Sequence, residues 1–271
     1  MRIWVSGAAG KLGAEVCRQL LVAGHQVVPV DVRPGGVVEV DLGDRVGVGR
    51  SLAGCDAIVH CAAIASPENV VPAELVHNNV MSTFNALEEA WGQGIRTAVL
   101  ASSGSIYGTA WAPEELTVAE VPVDESTPLA YVDPYALTKD ILERTGAMYA
   151  RRGMQVTALR LHWILTAAEV REYVADAPPA ANRRNLWGYV DLGEAARACV
   201  LALAPRPEAQ RFEALVIAAE DTGRHEPTAD LLARWSPDTR ATEVLDGHAA
   251  LFSSRRAGEV LGWKHRSTWR Q

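Results

Sequence analysis

Short apolar runs alternate with amphipathic stretches through the first two thirds of the chain. Residues 2–6 (RIWVS), with Ile3, Trp4 and Val5 apolar in succession, predict a buried strand. Residues 11–24 (KLGAEVCRQLLVAG) space their apolar positions three and four apart and predict a helix. Residues 26–32 predict a second strand, in which Pro29, having no N–H to give, calls for an edge-like stretch or a bulge. Residues 36–42 predict a third strand and 56–63, 96–103 and 154–161 three more, with helices expected near 70–92 and 134–151. Parallel neighbours need helical crossovers, so this alternation predicts an α/β fold, a doubly wound parallel sheet covered on both faces. Past residue 161 the pattern loosens into a loop or lid at 175–185, a helix at 190–204, a strand at 213–219 and a short terminal helix. The tail is rich in tryptophan, and Trp263 and Trp269 are expected to anchor it by packing. There is no internal repeat, low-complexity tract or Gly/Ser linker. The expected organisation is a nucleotide-binding part at 1–161 and a small substrate-binding portion at 162–271 packed onto it.

Composition narrows the classes of partner. The 271 residues are 48% hydrophobic, ordinary for a globular chain with a large core, and the formal net charge is −7. That charge argues against nucleic acid and anionic membranes as partners. The doublets Arg183-Arg184 and Arg255-Arg256 read as solvated surface. Cys17, Cys55, Cys61 and Cys199 show no Cys-x-x-Cys spacing, and the seven histidines show no ligand spacing, so neither a disulfide framework nor a metal is expected. No apolar run reaches membrane-spanning length, and the opening run is too short for a secretion signal. The expectation is a soluble, cytoplasmic protein.

The first strand and helix are joined by VSGAAGKLGAEV, which places Gly7, Gly10 and Gly13 at the helix mouth, with Lys11 and Leu12 between them. A phosphate can approach a helix N-terminus only where side chains are absent, and there the free N–H groups and the dipole favour its charge. Gly13, one turn in, lets the helix pack close to the sheet. Asp31 ends the second strand, where an acid would hydrogen-bond the adenosine ribose hydroxyls and repel a 2′-phosphate. This favours NAD; Arg33, two residues on, is the residue that would grip that phosphate and keeps NADP open. Asp41 and Leu42 end the third strand, suited to the edge and face of the adenine. The strand–glycine–helix–acid sequence predicts a Rossmann-type dinucleotide site.

Residues 133–139 (DPYALTK) begin a helix, with Asp133 as N-cap and Pro134 at the first helical position. Tyr135 and Lys139 then share one face. A phenol with a free pKa of about 10 is a poor base, and a neighbouring ammonium would stabilise its phenolate. Such a phenol can take a proton from a substrate hydroxyl. Ser103 ends the strand AVLASS, where ligands of an open parallel sheet bind, and its hydroxyl can steady charge on the reacting oxygen.

GAAGKLG, HCAA (60–63), NNVMSTFNALEEA (78–90), SSGSIYG (102–108) and YALTK (135–139) occur in one order and spacing. In these motifs the chain resembles the extended short-chain dehydrogenase/reductases of the NAD-dependent epimerase/dehydratase family, closely over residues 1–165 and more weakly beyond. The resemblance implies that Ser103, rather than Ser102, is the catalytic serine, with Ser105 assisting. It implies that Lys139 also binds the nicotinamide ribose, that Asn79 buttresses the site, and that Cys61, Ala62 and Ala63 let the cofactor lie along the fourth strand's loop. It further implies a homodimer formed through the helices bearing 80–92 and 135–150. The chain departs from the family at Gly104 and Ser105, where sugar-nucleotide dehydratases carry Asp-Glu. It departs also at Trp163, where many nucleotide-sugar epimerases carry Asn, and at Gly104 again, where uronate dehydrogenases carry Asn. Ser66, His162, Trp163 and Arg171 are the candidates for substrate contact, Arg171 through a carboxylate. The function implied is NAD-dependent oxidoreduction at a hydroxyl or ketone carbon of a small, polar, sugar-like substrate. The alternatives are an epimerase that keeps its NAD bound and a non-catalytic nucleotide-sensing regulator.

Overall fold

In β1 (Arg2–Ser6), Ile3 and Val5 point to one side and Trp4 to the other, and all three are fully buried. The same split recurs along the neighbouring strands: Ala57 and Val59 against Ile58, Val99 and Ala101 against Ala98 and Leu100. A strand apolar on both faces must be covered on both. The computed structural model describes residues 1–112, 117–207 and 211–270.

From the N-terminus the order is β1, α1 (Lys11–Val22), β2 (Gln26–Asp31), β3 (Val38–Glu39), α2 (Arg45–Ser51), β4 (Ala57–His60), α3 (Pro72–Gly92) and β5 (Thr97–Ser103). There follow the short strand β6 (Glu120–Val121), α4 (Pro134–Arg151), β7 (Gln155–Leu161), β8 (Ile164–Leu165), α5 (Ala167–Asp176) and β9 (Val190–Asp191). The chain closes with α6 (Leu192–Leu201), β10 (Phe212–Ile217), α7 (Thr228–Trp235), β11 (Arg240–Ala241) and α8 (Arg255–Leu261). Seven strands make a parallel sheet in the order β10-β7-β5-β4-β1-β2-β3. Residues of α1, α6 and α8 pack on one face, and residues of α3 and α4 on the other.

The strand order reverses between β1 and β4, and ligands of such sheets bind beyond the strands' carboxyl ends at that switch. The expected doubly wound sheet is present, with one local difference, while the edge-like stretch expected at Pro29 is there. The predicted third strand at 36–42 is only two residues long, because Gly35 and Gly36 turn with positive φ just before it. At Pro29 strand β2 has a neighbour on one side only, since β3 starts pairing at Val30. The sheet also continues past residue 161: β10 pairs with β7 along six positions, so the last third of the chain completes the central sheet. Its own small core gathers Trp187, Leu231, Leu251 and Phe252 around Val121 and Val123. Trp263 and Trp269 are buried, their indole N–H groups donating to Glu194 O and Thr222 O. No helix among the described residues is long and apolar enough to cross a membrane, and among them no three His, Cys, Asp or Glu side chains gather as metal ligands would.

Candidate active site

A cavity of about 780 Å³ opens where β1, β2, β4, β5 and β7 end. One end is made of backbone. Gly7 has φ +68°, and a Cβ there would sit 2.7 Å from Ala62 N. A Cβ on Gly13 would come within 2.1 Å of Gly7 O, so the first turn of α1 rests directly on the glycine loop. Gly10 is the N-cap of α1, where no side chain caps the helix and no acid stands in the first turn. The N–H groups of that turn are therefore turned toward the cavity without a side-chain acceptor, as an anionic group requires.

Asp31 stands beside this loop, nearly buried. Its Oδ2 accepts from Ala9 N at 3.0 Å, and its Oδ1 accepts from Arg33 N at 3.0 Å and from the Arg33 guanidinium at 3.3 Å. Burial raises its pKa, but the hydrogen bonds and charge of Arg33 and the bond from Ala9 outweigh it, so the carboxyl is held below its ordinary value. Arg33, Asp41 and Leu42 line the same end. The wall continues over Leu12, Cys61, Ala62 and Ala63. Lys11 lines the cavity as well, but its ammonium is held at 2.6 Å by Glu169 of α5 and at 3.1 Å by Ile164 O.

At the other end three elements converge. Asp133 caps α4 by accepting from Ala136 N at 2.8 Å, which sets Tyr135 and Lys139 on the face toward β5. The Lys139 ammonium donates to Ala101 O at 2.8 Å and lies 5.4 Å from the Tyr135 ring centroid. Ser103 and Tyr135 line the same end of the cavity, and the Ser103 side chain acts to lower the Tyr135 pKa. Ser103 Oγ already accepts from the Ser105 N–H at 3.1 Å and from the Ser105 hydroxyl at 3.0 Å, which leaves its own proton to be donated forward. Burial pushes the phenol up to about 12, opposed by the Ser103 bond, and brings the Lys139 ammonium down to about 8.

The twin serines separate cleanly. Ser102 turns to the opposite side of β5 and donates to Glu143 Oε1 at 2.7 Å. Glu143 is clamped by Arg160 at 2.8 and 3.0 Å, and Arg160 reaches the Tyr107 hydroxyl at 3.0 Å, all of it buried.

The other sequence-derived candidates divide. Ser105, His162 and Trp163 line the cavity together with Ser103, Tyr135 and Lys139. Asn79 stands behind the wall instead of on it: its Oδ1 accepts from Ile64 N at 2.8 Å and its Nδ2 donates to Ile64 O and Thr138 Oγ1. It fixes the loop after β4 to α4, and the neighbouring Asn78 and Ser82 reach the cavity in its place. Ser66 is not on the wall; it closes a local turn by accepting from Glu68 N. Arg171 is likewise off the wall, donating to Trp269 O at 3.2 Å. Thr109, Trp111, Asn185 and Phe252 line the cavity and carry no sequence signal. Phe252 arrives through a bridge to Val123, a pairing across more than a hundred residues that no local pattern announces.

The model of the NAD dependent epimerase/dehydratase family matches residues 3–218. The L-arabinose 1-dehydrogenase (NAD(P)(+)) of Haloferax volcanii is 31% identical over 196 residues, covering 69% of this chain and 76% of that protein. The UDP-glucose 4-epimerase of Bacillus subtilis is 31% identical over 165 residues, 53% of this chain and 46% of that enzyme, so the match spans about half the length of the epimerase. Among solved structures, a short-chain dehydrogenase/reductase superfamily protein from Agrobacterium tumefaciens with bound NAD superposes with a TM-score of 0.74 at 24% identity, over 99% of this chain and 94% of that one. The UDP-glucose 4-epimerase of Thermotoga maritima with UDP-glucose gives 0.74 at 21%, over the same shares. At these identities the superpositions speak for the fold.

Proposed function

The chain belongs to the NAD-dependent epimerase/dehydratase family, and from that premise we propose that it is an NAD-dependent dehydrogenase acting on a hydroxyl carbon of a small, sugar-like substrate. The observation that carries the proposal is the meeting of Ser103, Tyr135 and Lys139 at one end of a cavity whose other end is an uncapped, glycine-walled helix start beside Asp31.

The residues fit the cofactor. A Cβ would fill the space at Gly7 and Gly13, the first turn of α1 presents its N–H groups, and Asp31 is an anion facing the place of the adenosine ribose. Its charge supports NAD over NADP, and the Arg33 guanidinium is drawn onto that same carboxylate. Bound there, oxidised NAD would supply the acceptor for the substrate's hydride. The rest falls to the chain. Tyr135 Oη takes the proton of the substrate hydroxyl as general base. With the phenol raised to about 12 by burial, it can do so near neutral pH only if positive charge is brought beside it, and the Lys139 ammonium is the protein's own. Ser103 donates to the reacting oxygen and is aligned for this by the two bonds it accepts from Ser105. Lys139 is held in place by Ala101 O, with N–H donors remaining for the cofactor ribose.

The decisive assay follows the absorbance of the reduced cofactor while sugars are offered with NAD. Net formation of NADH that Tyr135→Phe abolishes supports the reading, and no dependence on Tyr135 refutes it. The similarity to UDP-glucose 4-epimerases favours one second reading, an epimerase that returns the hydride it takes. Sugar interconversion with no net NADH identifies that case. The reading extends to a homodimer through α3 and α4, supported by the outward apolar side chains Phe84 and Leu137, which are 40% and 37% exposed. A light-scattering mass of twice the 29.2 kDa chain is the expected result. A cytoplasmic setting accords with four free cysteines.

A further inference from the structure

His162 lies immediately after β7 with its ring on the cavity wall, 7% exposed. Its backbone is fixed by donation to Ile217 O, and its ring packs against Phe252 with centroids 3.8 Å apart. The ring occupies the space above Gly104: a Cβ on that residue would fall 2.3 Å from His162 Cε1. Only a glycine at position 104 leaves room for the ring in this place.

Neither ring nitrogen has a hydrogen-bond partner among the described residues, and Nε2 is wholly buried without one. Burial brings the imidazole down to about 3, so it is neutral throughout the working range and offers one donor and one acceptor. Buried polar groups find partners, and an orphan on a cavity wall points to a ligand that brings one.

Its surroundings say which kind. The charged side chains on the described wall are Lys11, Asp31, Arg33, Asp41 and Lys139. Asp31, Arg33 and Asp41 stand at the glycine-loop end, Lys139 belongs to the catalytic trio, and the Lys11 ammonium, which reaches Ile164 O, is already paired with Glu169 at 2.6 Å. Around His162 the described wall is Ser105, Thr109, Trp111, Trp163, Asn185 and Phe252, with no charge. Hydroxyl, amide and imidazole groups set among aromatic faces suit an uncharged polyol; on the described wall a carboxylate or diphosphate would find no cation that is not already paired.

We infer that His162 is a specificity-determining residue that hydrogen-bonds a substrate hydroxyl, and that the substrate is an uncharged aldose rather than a sugar acid or a nucleotide sugar. The inference rests on the dehydrogenase reading above. It is tested with galactose, with galacturonate, which differs from galactose in carrying a carboxylate at C6, with L-arabinose and with UDP-glucose. Each is assayed with NAD against wild type, His162→Phe, His162→Gln and Gly104→Ala, and NADH binding is titrated by fluorescence for all four proteins. The wild type is expected to oxidise a neutral aldose at least about tenfold more efficiently than either charged sugar. His162→Phe is expected to lose at least about tenfold in kcat/KM, chiefly through KM, and His162→Gln to recover most of it. Gly104→Ala, by displacing the ring, should imitate His162→Phe. NADH affinity should stay within about threefold in all variants, which also shows that they fold. Preference for galacturonate or UDP-glucose overturns this inference and leaves the dehydrogenase reading standing. An unaltered kcat/KM in His162→Phe, or a loss of NADH affinity matching the loss of sugar affinity, overturns the role of His162. Oxidation of none of the four sugars, with NADH still bound, overturns the substrate class, and the dehydrogenase reading falls separately only if Tyr135 proves dispensable with every hydroxyl substrate tried.

Discussion

Replacing Lys139 by methionine should abolish turnover and yet stabilise the protein without its cofactor. Lys139 is 4% exposed, and its ammonium is brought from 10.5 down to about 8 by burial, against the pull of Cys61 and Glu143. A shift of that size corresponds to about 3 kcal/mol of folding free energy sacrificed to keep the charge inside. The direction with pH follows from the sign. The folded protein binds this proton more weakly than the unfolded chain, so the penalty is full below about pH 8 and fades as pH rises from 8 toward 10.5. Methionine keeps the aliphatic stem and removes the penalty, but the bond to Ala101 O goes with it, a loss of about 1–2 kcal/mol. Near pH 7 the variant should be more stable by about 1–2 kcal/mol, or roughly 2–6 °C in melting temperature. Near pH 10 only about 1 kcal/mol of the original penalty remains, and the advantage should vanish or reverse. Urea unfolding of both proteins at the two pH values measures it. A variant less stable than wild type near pH 7, or a gap of equal size at both pH values, would refute the reasoning, because the difference would then owe nothing to the lysine's charge.

Four further substitutions probe the rest of the site. Ser103→Ala should lower kcat by about a hundredfold with an unchanged melting temperature, whereas Ser102→Ala should leave kcat within about threefold and cost about 1–2 kcal/mol in urea unfolding, since Glu143 loses a buried donor. Gly13→Ala drives a methyl to 2.1 Å from Gly7 O, with backbone on both sides. It should cost about 3 kcal/mol and weaken NADH binding more than tenfold, read by denaturation and fluorescence titration. Asp31→Ser removes the anion that Ala9 and Arg33 hold in place; the KM for NAD should rise roughly tenfold or more and the preference over NADP should shrink, measured by steady-state kinetics with both cofactors.

Most of the first two thirds of the fold was legible because the longer strands are short apolar runs closed by turns and the longer helices repeat their apolar positions at a helical period; the seven-residue α2, with Gly47 and Gly49 inside it, carries no such signal and was not predicted. The glycine loop, Asp31, Ser103, Tyr135 and Lys139 could be named because the local chain dictates each: a strand end, a helix mouth, a cap followed by proline. The substrate end was only partly legible. Its wall is assembled from the loop after β5, the turn ending at Asn185 and the segment around Phe252, and nothing within any one of them signals the others. Arg171 is close in sequence to the site, but its guanidinium donates to Trp269 O of the C-terminal segment, a contact no local pattern announces. Asn79 was placed correctly in the helix, but sequence alone cannot tell a residue that touches a ligand from one that holds the loop that does. The partnership of Gly104 and His162 was visible as two separate oddities and became a single fact only when β5 and β7 were side by side.

Neighbouring serines at the end of β5 have opposite fates because a strand sends successive side chains to opposite sides. Sliding that strand by one residue would turn the Ser102 hydroxyl away from Glu143 and set Ser103 against that carboxylate, with every apolar partner on the wrong layer. The seven matched positions between β5 and β7, with β4 gripping the other flank, are therefore also what tells two chemically identical alcohols apart.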